Sequence, residues 1–185
     1  VTRKEAMEGP DVAKWLEADD IERLQLLASK TWRPVEDGEL QSGDEVIPGV
    51  VRYTRKRCGR YKARMVALGN LQKNVSLAEI YSPTVSHAAN RYLLTEAAAA
   101  GHYVEQFDIT GAFVKAVLGD DKVFVRLPKH WSKDPKGDLV RLLKSLYGLR
   151  ISPRRWFDTY SKFLMEERRW AACPTEPGLF RKGKM

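Results

Sequence analysis

One aspartate, Asp108, has the setting expected of a residue that binds a cation. It ends an apolar segment and lies between Phe107 and Ile109, where a charged side chain is costly unless a partner compensates it. A hard metal cation is one such partner, because it prefers carboxylate oxygens. The alternative is a structural role, in which Asp108 caps a following helix through Thr110 and Gly111. The spacing alone favours the cap.

Two cations, Lys62 and Arg64, are separated by one residue in a segment of alternating character. Because side chains alternate across a strand, both would share one face. Paired cations suit a triphosphate or a phosphate backbone, although a solvated strand face explains them equally well. The segment Ser145–Leu149 places Gly148 after Tyr147, and a glycine there lets a ligand approach the backbone or simply forms a tight turn.

Charge divides the chain into two parts. The net charge is +8, but residues 1–45 carry −6 and residues 46–185 carry +14. No acid occurs in residues 46–78 or in residues 139–157. A polyanion, most commonly nucleic acid, is the natural partner of such a field, and the alternative is a basic surface without a partner. The bases in these two stretches are Arg52, Arg55, Lys56, Arg57, Arg60, Lys62, Arg64, Lys73, Arg141, Lys144, Arg150, Arg154 and Arg155.

Other functional classes find little support in the residues. His87, His102 and His130 lack the spacing of a zinc site or of a Ser–His–Asp triad. The sequence contains no glycine-rich phosphate-binding or dinucleotide motif, and no apolar run approaches the roughly 18 residues of a membrane helix. Cys58 and Cys173 fit neither a disulfide scaffold nor a zinc site, which favours a reducing, intracellular compartment.

Hydrophobic periodicity predicts three main helices. Asp11 predicts the cap of a helix over residues 12–29, and an alanine-rich stretch predicts a second over residues 90–100. Ser152 and Pro153 open a third, with Ser152 as its cap. The expected apolar stripes are Val12, Trp15, Leu16, Ile21, Leu24 and Ala28 in the first helix and Trp156, Phe157, Tyr160, Phe163 and Leu164 in the third.

Alternating and apolar segments predict the strands. Residues 50–56 and 61–68 would form a hairpin around Cys58-Gly59, after a connector at residues 33–49. The order of elements favours an α+β fold, with helices packed on a mostly antiparallel sheet. The remaining predicted strands are residues 103–109, 122–127 and 139–143 and a short segment that begins at Gly178.

Five motifs occur in order along the chain, at Tyr61–Gly69, Tyr81–Val85, Gln106–Phe113, Lys144–Leu149 and Ser152–Trp156. Their order and approximate spacing resemble the reverse transcriptase of copia-type LTR retrotransposons. The resemblance covers nearly the whole chain, and five motifs together are far more specific than any one of them.

The resemblance implies the right-hand polymerase arrangement of fingers and a partial palm. It divides the chain into an N-terminal helix and connector at residues 1–45, a fingers-like region at 46–102 and a partial palm at 103–185. It also implies an activity, the addition of deoxynucleotides to a primer 3′-end by two-metal nucleotidyl transfer directed by RNA.

The matched motifs imply roles for single residues. Asp108 matches a metal-binding carboxylate of the first catalytic motif, and the backbone carbonyl of Ile109 would face the same ion, Mg²⁺ or Mn²⁺. Lys62 and Arg64 match the fingers residues that face the incoming triphosphate, and which of them makes the contact stays open. Phe113 matches the bulky residue that rejects a ribose 2′-hydroxyl.

The resemblance also implies partners. Tyr147 and Gly148 match a turn that lies against the nucleotide and the template. The expected partners are dNTP, an RNA or DNA primer–template and the rest of a retrotransposon polyprotein, with integrase upstream and ribonuclease H downstream. The expected location is a cytoplasmic particle or the nucleus, without a membrane. The cations expected to contact nucleic acid are Arg52, Arg55, Lys56, Arg150, Arg154 and Arg155.

The sequence also departs from the family pattern. A Tyr-x-Asp-Asp hairpin is expected only after residue 185, so the chain is expected to be a segment of a longer protein. Asp120 and Asp121 lie in a predicted turn and do not match that hairpin, and Ile151 and Asn70 replace residues usual in the family. Because one carboxylate does not hold two metal ions, we expect no polymerase activity from this segment alone. The alternatives are a degenerate relic that binds nucleic acid without catalysis and a partner-binding or inert fragment.

Overall fold

A five-stranded sheet forms the centre of the fold. The computed structural model describes residues 1–183 of the chain. The strands are β1 (Trp32–Pro34), β2 (Val46–Arg55), β3 (Tyr61–Ala67), β4 (Phe124–Arg126) and β5 (Leu139–Leu142). Their order in the sheet is β1-β5-β4-β2-β3. The β2–β4 pair is parallel and the other three pairs are antiparallel, which confirms the α+β class and the mostly antiparallel sheet.

Helices surround this sheet. They are α1 (Arg3–Glu8), α2 (Val12–Ala28), α3 (Leu77–Ile80), α4 (His87–Ala99) and α5 (Ser152–Lys162). Helix α5 continues into a π-helical turn at Phe163–Glu167, and a small hairpin of β6 (Ala171–Ala172) and β7 (Phe180–Arg181) follows. None of the helices in residues 1–183 has the length and apolar character needed to cross a lipid bilayer.

The β2–β3 hairpin forms as predicted, with its turn at Cys58-Gly59. Strand β2 begins earlier than expected, at Val46, because its first residues pair in parallel with β4. The predicted alternation of β3 is confirmed, since Ala63, Met65 and Ala67 are buried while the intervening side chains lie on the other face.

Helix α2 has nearly the predicted extent but buries a different face. Of the predicted apolar stripe only Trp15 is buried, and Leu16, Ile21 and Leu24 are exposed. Asp11 occupies the predicted N-cap position, but its side chain makes no capping hydrogen bond, and its carboxylate accepts a hydrogen bond from the Tyr61 hydroxyl instead. The side chains that α2 buries are Trp15, Ala18, Asp19, Glu22 and Leu26. Hydrophobicity could not identify this face, because two of its members are acids whose hydrogen-bond donors come from distant segments.

Residues 103–109 do not form the predicted strand. Tyr103 is 99% exposed and Phe107 is 72% exposed, and none of these residues is paired with another described segment. A strand requires a neighbour for its backbone hydrogen bonds, so apolar composition alone did not produce one. The segment has no regular secondary structure, and it leads from α4 through Asp108 to the turn at Thr110-Gly111.

Helix α5 begins as its sequence predicts, with Pro153 in the first turn. Ser152 is not its cap; it is the first helical residue, and its hydroxyl donates to the Leu146 carbonyl at 2.7 Å. Of the predicted apolar stripe only Leu164 is buried. The other four residues of the predicted stripe are partly or largely exposed, so that prediction is confirmed only in part.

Candidate functional site

One open cleft brings together segments that are far apart in the sequence. It has a volume of about 460 Å³ and is lined by residues of α2, of β3 and of the loop at residues 108–112. Lys62 and Arg64 line it from β3, and Asp108 and Ile109 line it from the loop. The Asp108 side chain is exposed to solvent rather than packed in the interior. The predicted cation ligand and the predicted phosphate-binding pair therefore share one space.

The β2–β3 hairpin concentrates positive charge on one face. Its register sets Arg52 directly opposite Arg64, and Thr54 opposite Lys62. Like charges at opposed positions destabilise a strand pair. Burial lowers the pKa of Lys62, and the nearby charges of Arg64 and Lys56 lower it further. An anion bound on this face would relieve the repulsion, which is the electrostatic requirement of a polyphosphate or phosphodiester site.

Tyr147 connects the basic hairpin to the loop after Asp108. The Arg64 guanidinium lies over the Tyr147 ring, 5.1 Å from its centroid. The Phe113 ring meets Tyr147 edge-on at 5.1 Å between centroids. Cation–π and edge-to-face contacts of this kind fix side-chain orientation. Arg64 and Phe113, which the family resemblance assigns to nucleotide binding, thus both contact Tyr147, a third residue of that kind.

The turn that carries Tyr147 and Gly148 packs directly on β3. The Ala67 N–H donates to the Tyr147 carbonyl at 2.8 Å. Gly148 has φ +88°, and a Cβ there would lie 2.2 Å from the Ala67 carbonyl oxygen and 2.5 Å from Val66 Cγ1. The close approach predicted for this glycine is therefore made by the protein's own backbone, and it fixes Tyr147 beside Arg64.

Replacing Gly148 with alanine is expected to destabilise the fold by about 3 kcal/mol, because strain at positive φ adds to the clash with β3. The measurement is the free energy of unfolding in urea. Gly59→Ala is the matched control: φ is +83° there, but no atom lies within 4 Å of the new Cβ, so its cost should be about 1 kcal/mol. Equal losses in the two variants would contradict the packing argument.

The predicted nucleic-acid contacts fall into two groups. Arg52, Arg55 and Lys56 lie on the hairpin. The other three have partners within the fold, because Arg150 donates to the Gln72 carbonyl, Arg154 to Asp158 and Arg155 to both carboxylate oxygens of Asp121. The Asp121 contact raises the pKa of Arg155. Contact of all six with nucleic acid stays a prediction. Within residues 1–183 the three hairpin cations form no ion pair, although the Arg55 guanidinium lies over the Tyr61 ring at 5.4 Å.

The described residues alone do not complete a magnesium site. Asp108 and Ile109 offer one carboxylate and one carbonyl, and residues 1–183 hold no group of three His, Cys, Asp or Glu side chains able to bind an ion. Magnesium takes six oxygen ligands in near-octahedral geometry. Glu22 lines the same cleft, but its buried carboxylate accepts a hydrogen bond from the Met65 N–H. Asp108 can thus supply one ligand, and further oxygens would be needed.

Sequence reasoning missed two residues of the site. Glu22 reaches the cleft from α2, and Gln72 is 5% exposed and accepts the Arg150 backbone N–H, which helps to hold the Tyr147 turn. The signal for Glu22 was its spacing from Trp15, which puts both on one helix face. Nothing in the local sequence distinguished Gln72.

The fold and the site define an α+β domain with a cationic cleft that also presents a carboxylate. The family model described as reverse transcriptase (RNA-dependent DNA polymerase) matches residues 29–185. The chain belongs to this family, whose members are generally dependent on divalent metal ions.

Curated relatives narrow the assignment to the copia type. The Ty1-NL2 and Ty1-DR4 transposon Gag-Pol polyproteins of Saccharomyces cerevisiae are 35% identical over 157 residues, or 83% of this chain. The Ty1-MR1 Gag-Pol polyprotein of the same yeast is 35% identical over 171 residues, or 88% of the chain. The chain spans 9 to 10% of the length of these relatives. No solved structure matches it. The chain is therefore a fragment of a reverse transcriptase of copia-type retrotransposons.

Proposed function

We propose that this chain forms the fingers and part of the palm of its reverse transcriptase and binds dNTP and a primer–template there. The proposed boundaries are an N-terminal segment at residues 1–45, fingers at 46–102 and partial palm at 103–185. The observation that carries the proposal is the shared cleft, in which Lys62 and Arg64 face the same space as Asp108.

The residues in or beside the cleft that match the family's motifs each have a chemical task in this proposal. Lys62 and Arg64 would hold the triphosphate through charge-assisted hydrogen bonds. Phe113, held by Tyr147, would stand against the sugar and exclude a 2′-hydroxyl. Asp108 and the Ile109 carbonyl would contribute oxygen ligands to Mg²⁺ or Mn²⁺, which supplies Lewis-acid stabilisation of developing charge when bound.

The relatives are Gag-Pol polyproteins, and this supports a polyprotein context for the chain. We propose integrase before it and ribonuclease H after it in that polyprotein. We also propose an intracellular site of action, either a cytoplasmic particle or the nucleus, because an element of this kind copies its nucleic acid inside the cell.

The test of nucleic-acid binding is a titration of labelled RNA–DNA primer–template with the chain at several salt concentrations. Phosphate contacts release counterions, so log affinity should fall linearly with log salt, by a slope of about 0.9 for each contacted phosphate. Exchanging Arg52 and Lys56 for alanine should reduce that slope by about one to two. The proposal fails if the wild-type chain does not bind the duplex at low salt.

A second candidate function is a non-catalytic nucleic-acid-binding module derived from a degenerate element. The observations that favour it are Ile151 and Asn70, which stand where the family usually has other residues. The sequence encoded after residue 185 distinguishes the two candidates. Two adjacent aspartates in a hairpin there favour the polymerase, and their absence favours the module.

Under both candidates the 185-residue chain is expected to leave a primer unextended in the presence of Mg²⁺ and all four dNTPs, because one carboxylate does not hold two ions. Denaturing electrophoresis of a labelled primer measures this. Magnesium-dependent extension by a chain purified free of host polymerase, and lost on Asp108→Asn, would contradict the expectation.

A further inference from the structure

Glu22 is a buried acid in the wall of the cleft to which the proposed function gives no task. The residue is 9% exposed, and its Oε1 accepts a hydrogen bond from the Met65 N–H at 3.1 Å. Within residues 1–183, no lysine, arginine or histidine lies within 4.0 Å of its carboxylate as an ion-pair partner. A buried carboxylate without a directly paired cation is costly to ionise, so its presence requires an explanation.

A purely structural role does not require the charge. Strand β3 lies at the edge of the sheet, and its outward N–H groups need acceptors other than a neighbouring strand. Glu22 satisfies one such group, on Met65. The amide oxygen of a glutamine would accept the same hydrogen bond without burying a charge. The hydrogen bond therefore explains an acceptor at position 22 but not an acid.

The charge of Glu22 would act on two cations that line the same cleft. Lys62 and Arg64 line the same cleft as Glu22. Burial raises the pKa of Glu22, and the hydrogen bond from the Met65 N–H and then the positive charges of Lys62 and Arg64 oppose that rise. Electrostatic interaction is reciprocal, so an ionised Glu22 lowers the positive potential at both cations. An anion at the mouth of the cleft would feel their combined field reduced by one nearby negative charge.

We propose that Glu22 is a positioning residue that sets how tightly the Lys62–Arg64 pair holds a polyphosphate. It anchors the strand that carries the pair and offsets part of the pair's charge, so that an anion binds reversibly. This inference rests on the proposed function, because it assumes that the pair is an anion site.

Glu22→Gln is the decisive variant, because it removes the charge and keeps the acceptor for Met65. Isothermal titration with inorganic tripolyphosphate at low salt and neutral pH measures the affinity. The variant is expected to bind about three- to tenfold more tightly than the wild-type chain, through the loss of one repulsive charge. Glu17→Gln is the matched control, an exposed acid of the same helix outside the cleft, and it should leave the affinity unchanged.

Stability and binding together separate the possible results. Glu22→Gln should unfold at the same urea concentration as the wild-type chain or higher, whereas Glu22→Ala, which leaves the Met65 N–H without an acceptor, should unfold earlier. If the wild-type chain binds tripolyphosphate and Glu22→Gln binds it with the same affinity, the inference about Glu22 is overturned and the proposed function is not. Absence of wild-type binding overturns the proposed function as well.

Discussion

Replacing both Lys62 and Arg64 with alanine is expected to weaken the binding of inorganic tripolyphosphate roughly a hundredfold, because each charge-assisted hydrogen bond contributes about 1.5 kcal/mol or more. The two side chains line one cleft, and Arg64 is further oriented by the Tyr147 ring. Isothermal titration at low salt measures the effect. The single variants show which of the two cations contributes more, a question that the sequence leaves open.

The matched control removes the same charge elsewhere. Arg57 and Lys73 are exposed and lie outside the cleft, so replacing both with alanine should lower affinity by no more than about threefold through the general field. Unfolding is a second control. Because Arg64 faces Arg52 across the hairpin, its loss removes a repulsion, and the stability of the double variant should stay within about 1 kcal/mol of wild type. Equal loss of affinity in both double variants would show that the cleft is no specific site.

The hairpin and the shared face of Lys62 and Arg64 could be predicted from the local pattern of the sequence. Strand alternation has a period of two, so the shared face of Lys62 and Arg64 follows from their spacing once the strand exists. The turn at Gly59 and the helix after Pro153 follow from residues whose backbone preferences are strong. These features depend on neighbours in sequence, and the structure confirms them.

The features that depend on distant residues could not be predicted in the same way. The strand expected at residues 103–109 does not form, because a strand needs a second segment to pair with and the apolar pattern describes only the first. The buried face of α2 was predicted wrongly because the Glu22 carboxylate accepts its hydrogen bond from the Met65 N–H, 43 positions away. The proximity of Asp108 to Lys62 was implied by the family resemblance alone, since no spacing in the sequence connects them.

Replacing Asp19 with alanine is expected to destabilise the fold by about 3 kcal/mol or more, because two buried donors would lose their acceptor. Asp19 is 4% exposed and accepts hydrogen bonds from the Tyr53 hydroxyl and from Trp131 Nε1, each at 2.7 Å. It thereby joins α2 to β2 and to the turn at residues 129–131. Urea unfolding measures the loss. Asp20→Ala, an exposed neighbour on the same helix, should change stability by no more than about 0.5 kcal/mol.

The same carboxylate makes stability depend on pH, with a sign that follows from its pKa. Burial raises the pKa of Asp19, but hydrogen bonds from His130, Trp131 and Tyr53 together lower it below the ordinary value. A group with a depressed pKa in the folded state stabilises the fold above its unfolded pKa of about 3.9 and loses that contribution as pH falls further. Wild-type stability should therefore decline below about pH 4, and Asp19→Asn should decline less over the same range. Parallel pH profiles for the two proteins would show that the charge of Asp19, as distinct from its shape, contributes nothing to the fold.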